Sequence, residues 1–150
     1  MKFTPLPLSG AYLIEMDHHR DDRGYFARSF CCEEFESYGL VTTFSQMSTS
    51  FNHRAGQIRG MHYQEAPYEE TKIVRCTRGA LCDVMIDLRP DSGTYQHSYS
   101  TELSAENGKM FYIPKGFAHG YQTLQDNTEV FYMMDTPFHP TAAREIPWPL

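Results

Sequence analysis

From residue 40 onward the chain alternates between short segments rich in Val, Ile, Tyr and Phe and clusters of Gly, Pro, Asn and Asp. Branched and aromatic residues favour strands, and the intervening residues favour turns. Short strands at such regular spacing are typical of an antiparallel sandwich or barrel. This pattern constrains the fold more than any other feature, and we expect strands at 41–49, 57–63, 71–77, 80–88, 96–103, 109–113, 119–124 and 128–134.

The part of the chain before residue 40 is less regular. Residues 1–14 are expected to be extended, and 18–24 form a polar segment that predicts a turn. Ser29 is a candidate N-cap and Gly39 a candidate terminator, which together predict one clear helix over about 31–38.

Two glycine-containing dipeptides, Arg78-Gly79 and Asn107-Gly108, are candidates for tight hairpin turns between neighbouring strands. At the other end of the chain, residues 144–150 contain two prolines, so we expect that segment to be irregular.

Length and composition exclude several classes of protein. The 150 residues are expected to form a single domain, 1–150, and 13 basic against 19 acidic residues give a net charge of −6. An acidic chain is not a general nucleic-acid binder. No apolar run approaches the ~20 residues of a membrane span, and the start lacks the features of a signal peptide. The four cysteines form no Cys-x-x-Cys pair, so we expect reduced thiols and a cytoplasmic location.

The segment 81–88 carries apolar side chains at every even position, whereas Asp83 and Asp87 occupy odd positions. Because successive side chains of a strand point to opposite faces, we expect the even face to be core. The odd face would then meet water or a polar cavity.

The segment 57–63 places a cationic Arg59 three residues before a titratable His62. In a regular strand these side chains would point to opposite faces, but a bulge or bend at Gly60 would bring them to one side. A base beside an anion-binding arginine is a plausible active site. The alternative is a strand with a surface arginine and a half-buried histidine.

Residues 114–119, from Pro114 to His119, have the Pro-x-Gly-x-x-His spacing of the second cupin motif. Cupins are double-stranded β-helices, or jelly rolls, and many hold a metal. The first cupin motif would supply two histidines, but the second is replaced here by Gln64, a weak metal ligand. We therefore expect a jelly roll with one or two short helices, and neither a metal nor another cofactor.

Taken together, five motifs resemble the dTDP-4-dehydrorhamnose 3,5-epimerase family, whose members are cupins that act without a metal. The resemblance runs from about residue 4 to 140. The motifs are DRGYF at 22–26, IRGMHYQ at 58–64, KIVR at 72–75, LSAEN at 103–107 and IPKGFAHG at 113–120. It implies an isomerase acting on a nucleoside-diphosphate 4-keto-6-deoxy sugar, with inversion at C3, C5 or both.

The resemblance also implies roles for individual residues. His62 matches the base, Tyr132 the acid that returns a proton from the other side, and Lys72 the cation that stabilises the enolate. A core tyrosine and a strand-edge lysine are the structural alternatives for the last two. The positions that match substrate contacts are Arg23, Phe26, Gln46, Ser48, Arg59, His119 and Phe138.

Four departures from the family pattern concern the sugar and its base. Arg28 stands where the family has Glu, Ser48 where it has Asn, and Phe138 where it has Tyr. The family also supplies, from a segment beyond residue 150, an aspartate that pairs with the catalytic histidine. If His62 has a carboxylate partner within this sequence, Asp83 is one candidate.

Three other functions remain open at this point. A 3,4-ketoisomerase would move the keto group, a catalytically weak homologue would only bind the sugar nucleotide, and a metal-dependent cupin is disfavoured by Gln64. The combination of His62, Lys72 and Tyr132 favours an enzyme, because binding alone has no need of both an acid and a base. The resemblance further implies a homodimer in which the segment 23–26 reaches toward the partner's site.

Overall fold

The computed structural model describes residues 1–148, which form thirteen strands and one short helix. The helix α1 spans Cys32–Ser37. The strands are β1 Lys2–Pro5, β2 Tyr12–Glu15, β3 His19–Asp21, β4 Gly24–Phe26, β5 Gln46–Asn52, β6 Ile58–Gln64, β7 Lys72–Arg78, β8 Ala80–Asp87, β9 Ser98–Ser104, β10 Lys109–Ile113, β11 Phe117–Thr123, β12 Thr128–Met134 and β13 Ala143–Glu145.

The strands form two facing antiparallel sheets and a separate hairpin. One sheet has six strands in the order β1-β2-β10-β7-β12-β5, and the other has five in the order β13-β6-β11-β8-β9. β3 and β4 form the hairpin. The all-β jelly-roll expectation is confirmed, with α1 as the one helix in the described part of the chain.

The main core lies between the two sheets. Val74 and Phe111 contribute from the six-stranded sheet, and Leu81, Met85 and Tyr121 from the five-stranded sheet. A second apolar cluster lies on the outer face of the six-stranded sheet, where α1 packs through the fully buried Phe35. Full burial of such a side chain contributes about 1.5–3 kcal/mol, which explains why so short a helix is held in place.

Most strand bounds agree with the sequence prediction, and β10 and β12 match it at both ends. Two segments differ. The strand expected at 41–49 begins only at Gln46, and the turn expected at 18–24 contains β3. His19–Asp21 pairs with β4 in the hairpin, so polar composition alone misled the prediction there.

Both predicted tight hairpins are wrong. At Arg78-Gly79 the chain leaves β7 in the six-stranded sheet and enters β8 in the five-stranded sheet. At Asn107-Gly108 it crosses back, from β9 to β10. Gly79 and Gly108 do have positive φ, of 78° and 62°, so the turn chemistry was correct while the pairing of the strands was not.

The predicted faces of β8 also need correction. Asp83 and Asp87 are fully buried, and the odd face packs into the core between the sheets through Leu81 and Met85. The even face, including Val84 and Ile86, is the outer face of the sheet. It is covered by the segment after β13 through Ile146 and Trp148, which is why both faces of β8 are buried.

The ends of α1 and of the chain also differ in part from expectation. The residue before α1 is Cys31, which makes no side-chain cap, so the prediction of Ser29 as the N-cap is wrong. The chain leaves the helix through Gly39 at φ 70°, as expected. The segment 144–150 is not wholly irregular, because its first two residues belong to β13, while 149–150 lie outside the described residues. No described helix is long and apolar enough to cross a membrane.

Candidate active site

A β-bulge at Gly60 brings Arg59 and His62 to one side of β6, as the sequence suggested. In the pairing of β6 with β11, His119 lies opposite His62 and Tyr121 opposite Arg59, so two residues on β6 oppose one on β11. Gly60 has φ 95°, and a Cβ there would lie 2.6 Å from the His119 carbonyl oxygen. The bulge therefore requires glycine, and it turns both side chains toward the interior cavity.

This cavity has a volume of about 510 Å³ and lies between the two sheets. Eight of the ten residues predicted to form the site line it: His62, Lys72, Tyr132, Gln46, Ser48, Arg59, His119 and Phe138. Among the lining residues that sequence reasoning missed are Glu70, Ser50, Tyr121 and Arg144. Ser50 and Tyr121 follow Ser48 and His119 at the strand period of two and were open to prediction. Glu70 precedes β7 and carries no such signal.

The two proton-carrying groups stand on opposite walls. His62 belongs to the five-stranded sheet, whereas Tyr132 belongs to the six-stranded sheet. Lys72 lies on the wall of Tyr132, directly opposite Met134 in the ladder between β7 and β12. Because β7 is a central strand, the strand-edge alternative for Lys72 is excluded. An imidazole and a phenol thus face one space from two sides.

His62 is poised to be a neutral base. Partial burial lowers the pKa of its imidazole below the ordinary value, and the positive charge of Lys72 acts in the same direction. Glu145 opposes both and favours the charged ring. Since the neutral imidazole is the form that accepts a proton, the environment maintains the competent state at neutral pH.

Tyr132 is held as a neutral phenol. Burial, with a smaller effect of the neighbouring Tyr121, raises its pKa far above the ordinary value. Its hydroxyl lies 2.9 Å from Ser50 Oγ, which lies 2.7 Å from the Tyr121 hydroxyl. The phenol therefore keeps its proton at neutral pH.

Arg59 is positioned by the same polar network. Its Nε donates to Asn52 Oδ1 at 2.7 Å, and a terminal nitrogen donates to the Phe51 carbonyl oxygen at 3.1 Å. Asn52 in turn donates to the Tyr121 hydroxyl at 3.1 Å. The guanidinium is thus fixed in orientation at the cavity, which suits bidentate binding of phosphate.

His119 is the partner of Asp83, and the suggestion that Asp83 pairs with His62 is wrong. His119 Nε2 lies 2.8 and 2.9 Å from the two carboxylate oxygens of Asp83. Burial raises the pKa of the Asp83 carboxyl, and His119 opposes that shift. The pair orients the His119 ring, which lies 6.3 Å from the ring of Tyr132, centroid to centroid.

Lys72 is not an isolated cation. Its Nζ lies 3.0 Å from Glu70, and both side chains are largely buried. Both residues line the cavity. The ammonium therefore has one fixed carboxylate partner and remaining N–H donors for a ligand oxygen.

Two glutamines join the site to the loop after β12. Gln46 accepts the backbone N–H of Phe138 at 2.9 Å, which holds the Phe138 ring at the cavity. Gln64 accepts the N–H of His139 at 2.8 Å and donates to the Tyr68 carbonyl oxygen at 2.8 Å. The Gln64 amide is thus engaged with backbone at the place where a cupin histidine would bind metal.

Arg23 and Phe26 do not line the cavity. Both lie on the β3–β4 hairpin, where the Arg23 side chain is 90% exposed and pairs only with Asp21 at 2.6 Å among the described residues. Phe26 is 69% exposed, an unusual position for a large apolar ring. The prediction that these residues contact a substrate is therefore not met within this subunit's own cavity.

Among residues 1–148, no three His, Cys, Asp or Glu side chains come together in a way that could hold a metal ion. The four cysteines, all of which are described, are unpaired, as the sequence indicated.

Comparison with known proteins agrees with the fold. The profile of the family described as dTDP-4-dehydrorhamnose 3,5-epimerase matches residues 5–149. The enzyme of that name from Sinorhizobium fredii is 38% identical over 99% of this chain and 76% of its own. The crystal structure of the Bacillus anthracis enzyme with TDP and pyrophosphate has a TM-score of 0.95 and 36% identity, over 98% of this chain and 84% of that one. The crystal structure of the Legionella pneumophila enzyme with dTDP-4-keto-L-rhamnose has a TM-score of 0.90 and 32% identity, over 97% of this chain and 77% of that one.

The fold and the matching family define a jelly-roll sugar epimerase, an enzyme of the isomerase class. The match over nearly the whole chain specifies it further, because the chain belongs to the dTDP-4-dehydrorhamnose 3,5-epimerase family.

Proposed function

We propose that this protein inverts C3, C5 or both of a dTDP-linked 4-keto-6-deoxyhexose by removing and returning the proton next to the ketone. The observation that carries the proposal is the placement of a neutral imidazole and a neutral phenol on opposite walls of one cavity. Inversion needs a base on one face of a carbon and an acid on the other. The choice of a dTDP-linked sugar as substrate is supported by the ligands in the two related crystal structures.

His62 acts as the base in this proposal. Its lone pair removes the proton from the carbon next to the ketone, and the electrons of that C–H bond move onto the ketone oxygen as an enolate. Tyr132 then gives its phenolic proton to the opposite face of the same carbon. General acid–base catalysis of this kind contributes about 10²–10⁴-fold each time it operates.

Lys72 stabilises the negative charge that develops on the ketone oxygen. Its ammonium is fixed by Glu70 before the reaction begins, so little reorganisation is needed when the charge appears. His119, held by Asp83, adds a hydrogen-bonding group on the wall of His62.

The nucleoside diphosphate would be bound at the mouth of the cavity. Arg59 offers a fixed guanidinium for a phosphate, and Gln46, Ser48 and Phe138 line the same space. Arg23 and Phe26 serve a substrate only if their hairpin reaches another subunit. We therefore propose a cytoplasmic homodimer in which each exposed hairpin completes the partner's site.

The test is to incubate the protein with dTDP-4-keto-6-deoxyglucose and to identify the product by NMR. We expect the C3 epimer, the C5 epimer or the double epimer, and we expect no product from His62→Ala. Because the His62 side chain faces the open cavity and belongs to none of the apolar core clusters, this variant should fold, which circular dichroism verifies. Binding of dTDP to the variant is the control for an intact nucleotide site.

Two results would contradict the proposal. A product whose carbonyl has moved from C4 to C3 would identify a 3,4-ketoisomerase. Tight binding of the sugar nucleotide without any product from the wild-type protein would identify a binding homologue.

A further inference from the structure

The short strand β13 is held firmly against β6, the strand that carries His62. The N–H of Glu65 donates to the Ala142 carbonyl oxygen at 2.9 Å, and that of Ile146 donates to the Met61 carbonyl oxygen at 3.0 Å. These bonds lie on either side of β13 and fix its register. That register places Glu145 directly opposite His62.

Glu145 and His62 form the closer type of cross-strand pair. In an antiparallel ladder, hydrogen-bonded and non-hydrogen-bonded pairs alternate. Because Ile146 and Met61 are a hydrogen-bonded pair, the next pair along, Glu145 and His62, is not hydrogen-bonded through its backbone. The Cα atoms of such a pair lie about 4.5 Å apart, and their side chains are closer than those of the other type.

The two side chains also share a face. Arg144, one position earlier, pairs with Glu65 at 2.9 Å and also lines the cavity. Directly opposed residues of an antiparallel ladder lie on the same face, so Glu145 shares the face of His62; it is exposed there and is not itself one of the residues that line the cavity.

The other charged groups around the cavity come from five elements. They are Arg59 on β6, Lys72 on β7 with Glu70 just before it, His119 on β11 with its partner Asp83 on β8, and Arg144 on β13. The neutral Tyr132 faces them from β12. Lys72, His119 and Arg59 each favour the neutral form of His62 and lower its pKa, whereas Glu145 raises it. Of the charged groups with the largest effect on the pKa of His62, Glu145 is the one that favours the protonated ring.

We infer that Glu145 assists His62 from the neighbouring strand, and that the charge of its carboxylate stabilises the imidazolium formed when His62 accepts the substrate proton. This inference rests on the proposed role of His62 as the base. It assigns to β13 a part in catalysis, although Glu145 itself does not touch the reacting carbon.

The test compares three variants with the wild-type protein by NMR titration of the His62 imidazole and by the pH dependence of kcat/KM. Glu145→Gln removes the charge, Glu145→Asp retains it, and Glu65→Gln weakens the docking of β13 without changing Glu145. His62→Ala assigns the imidazole signal. The titration needs no turnover, so a failure of the epimerase proposal is distinguishable from a failure of this inference.

For Glu145→Gln we expect a lower pKa of His62, and the acidic limb of the pH profile of kcat/KM should move to lower pH by the same amount. The plateau of kcat/KM should fall about two- to fivefold, the size of effect that an exposed charge pair gives. Glu145→Asp should restore most of the His62 pKa and most of the plateau of kcat/KM. Glu65→Gln should change neither the pKa nor the plateau. An unchanged pKa of His62 in Glu145→Gln would overturn the inference. A shift of equal size in Glu65→Gln would also overturn it, because the effect would then come from strand docking.

Discussion

Replacement of Gly60 by alanine tests the bulge that brings Arg59 and His62 together. A Cβ at Gly60 would lie 2.6 Å from the His119 carbonyl oxygen and 2.8 Å from Gly120 Cα, both backbone atoms that cannot rotate away. Forcing a side chain into φ 95° costs about 1–2 kcal/mol, and the overpacking costs about 1–3 kcal/mol. We expect Gly60→Ala to lower the free energy of unfolding by about 2–5 kcal/mol.

Urea unfolding at a fixed protein concentration measures this loss, and two glycines serve as controls. Gly56 has φ 84°, and a Cβ added there would meet nothing within 4 Å, so Gly56→Ala should show only the backbone cost. Gly93 has neither a positive φ nor an atom within 4 Å of an added Cβ, so Gly93→Ala should leave the free energy of unfolding nearly unchanged. If Gly60→Ala were no more destabilising than Gly56→Ala, the close approach of β6 and β11 would be wrong.

Three further predictions concern the cavity. Tyr132→Phe should lower product formation about 10²–10⁴-fold. Exchange of the substrate proton with solvent should persist in this variant because His62 is intact, and NMR measures product formation and exchange together. Asp83→Asn should reduce the free energy of unfolding by about 3–5 kcal/mol in urea, because it breaks a buried pair with His119. In wild-type protein, kcat/KM should fall as pH drops through the lowered pKa of His62, so the midpoint of the acidic limb should lie below 6.5. A midpoint above 6.5 would contradict that assignment.

Strand positions and the bulge were predictable because both follow from local chemistry. Alternation and turn residues defined β10 and β12 at both ends, and Gly60 between Arg59 and His62 signalled the irregular pairing. The cavity residues followed from the family motifs once these strands were in place.

The order of strands was not predictable from the same signals. A glycine turn reverses the chain at Gly79 and at Gly108, but it does not determine which sheet the next strand joins. The pairing of Asp83 with His119 depends on the register between β8 and β11, where Asp83 lies opposite Tyr121 and one diagonal step from His119. Burial of the outer face of β8 depends on the distant Trp148.

The most direct test of the central claim is proton exchange at the sugar. The protein is incubated with dTDP-4-keto-6-deoxyglucose in deuterated water, and the C3 and C5 signals are followed by NMR beside His62→Ala. We predict deuterium at C3, C5 or both with the wild-type protein, and none with the variant. Exchange that persists at the wild-type rate without His62 would contradict the account.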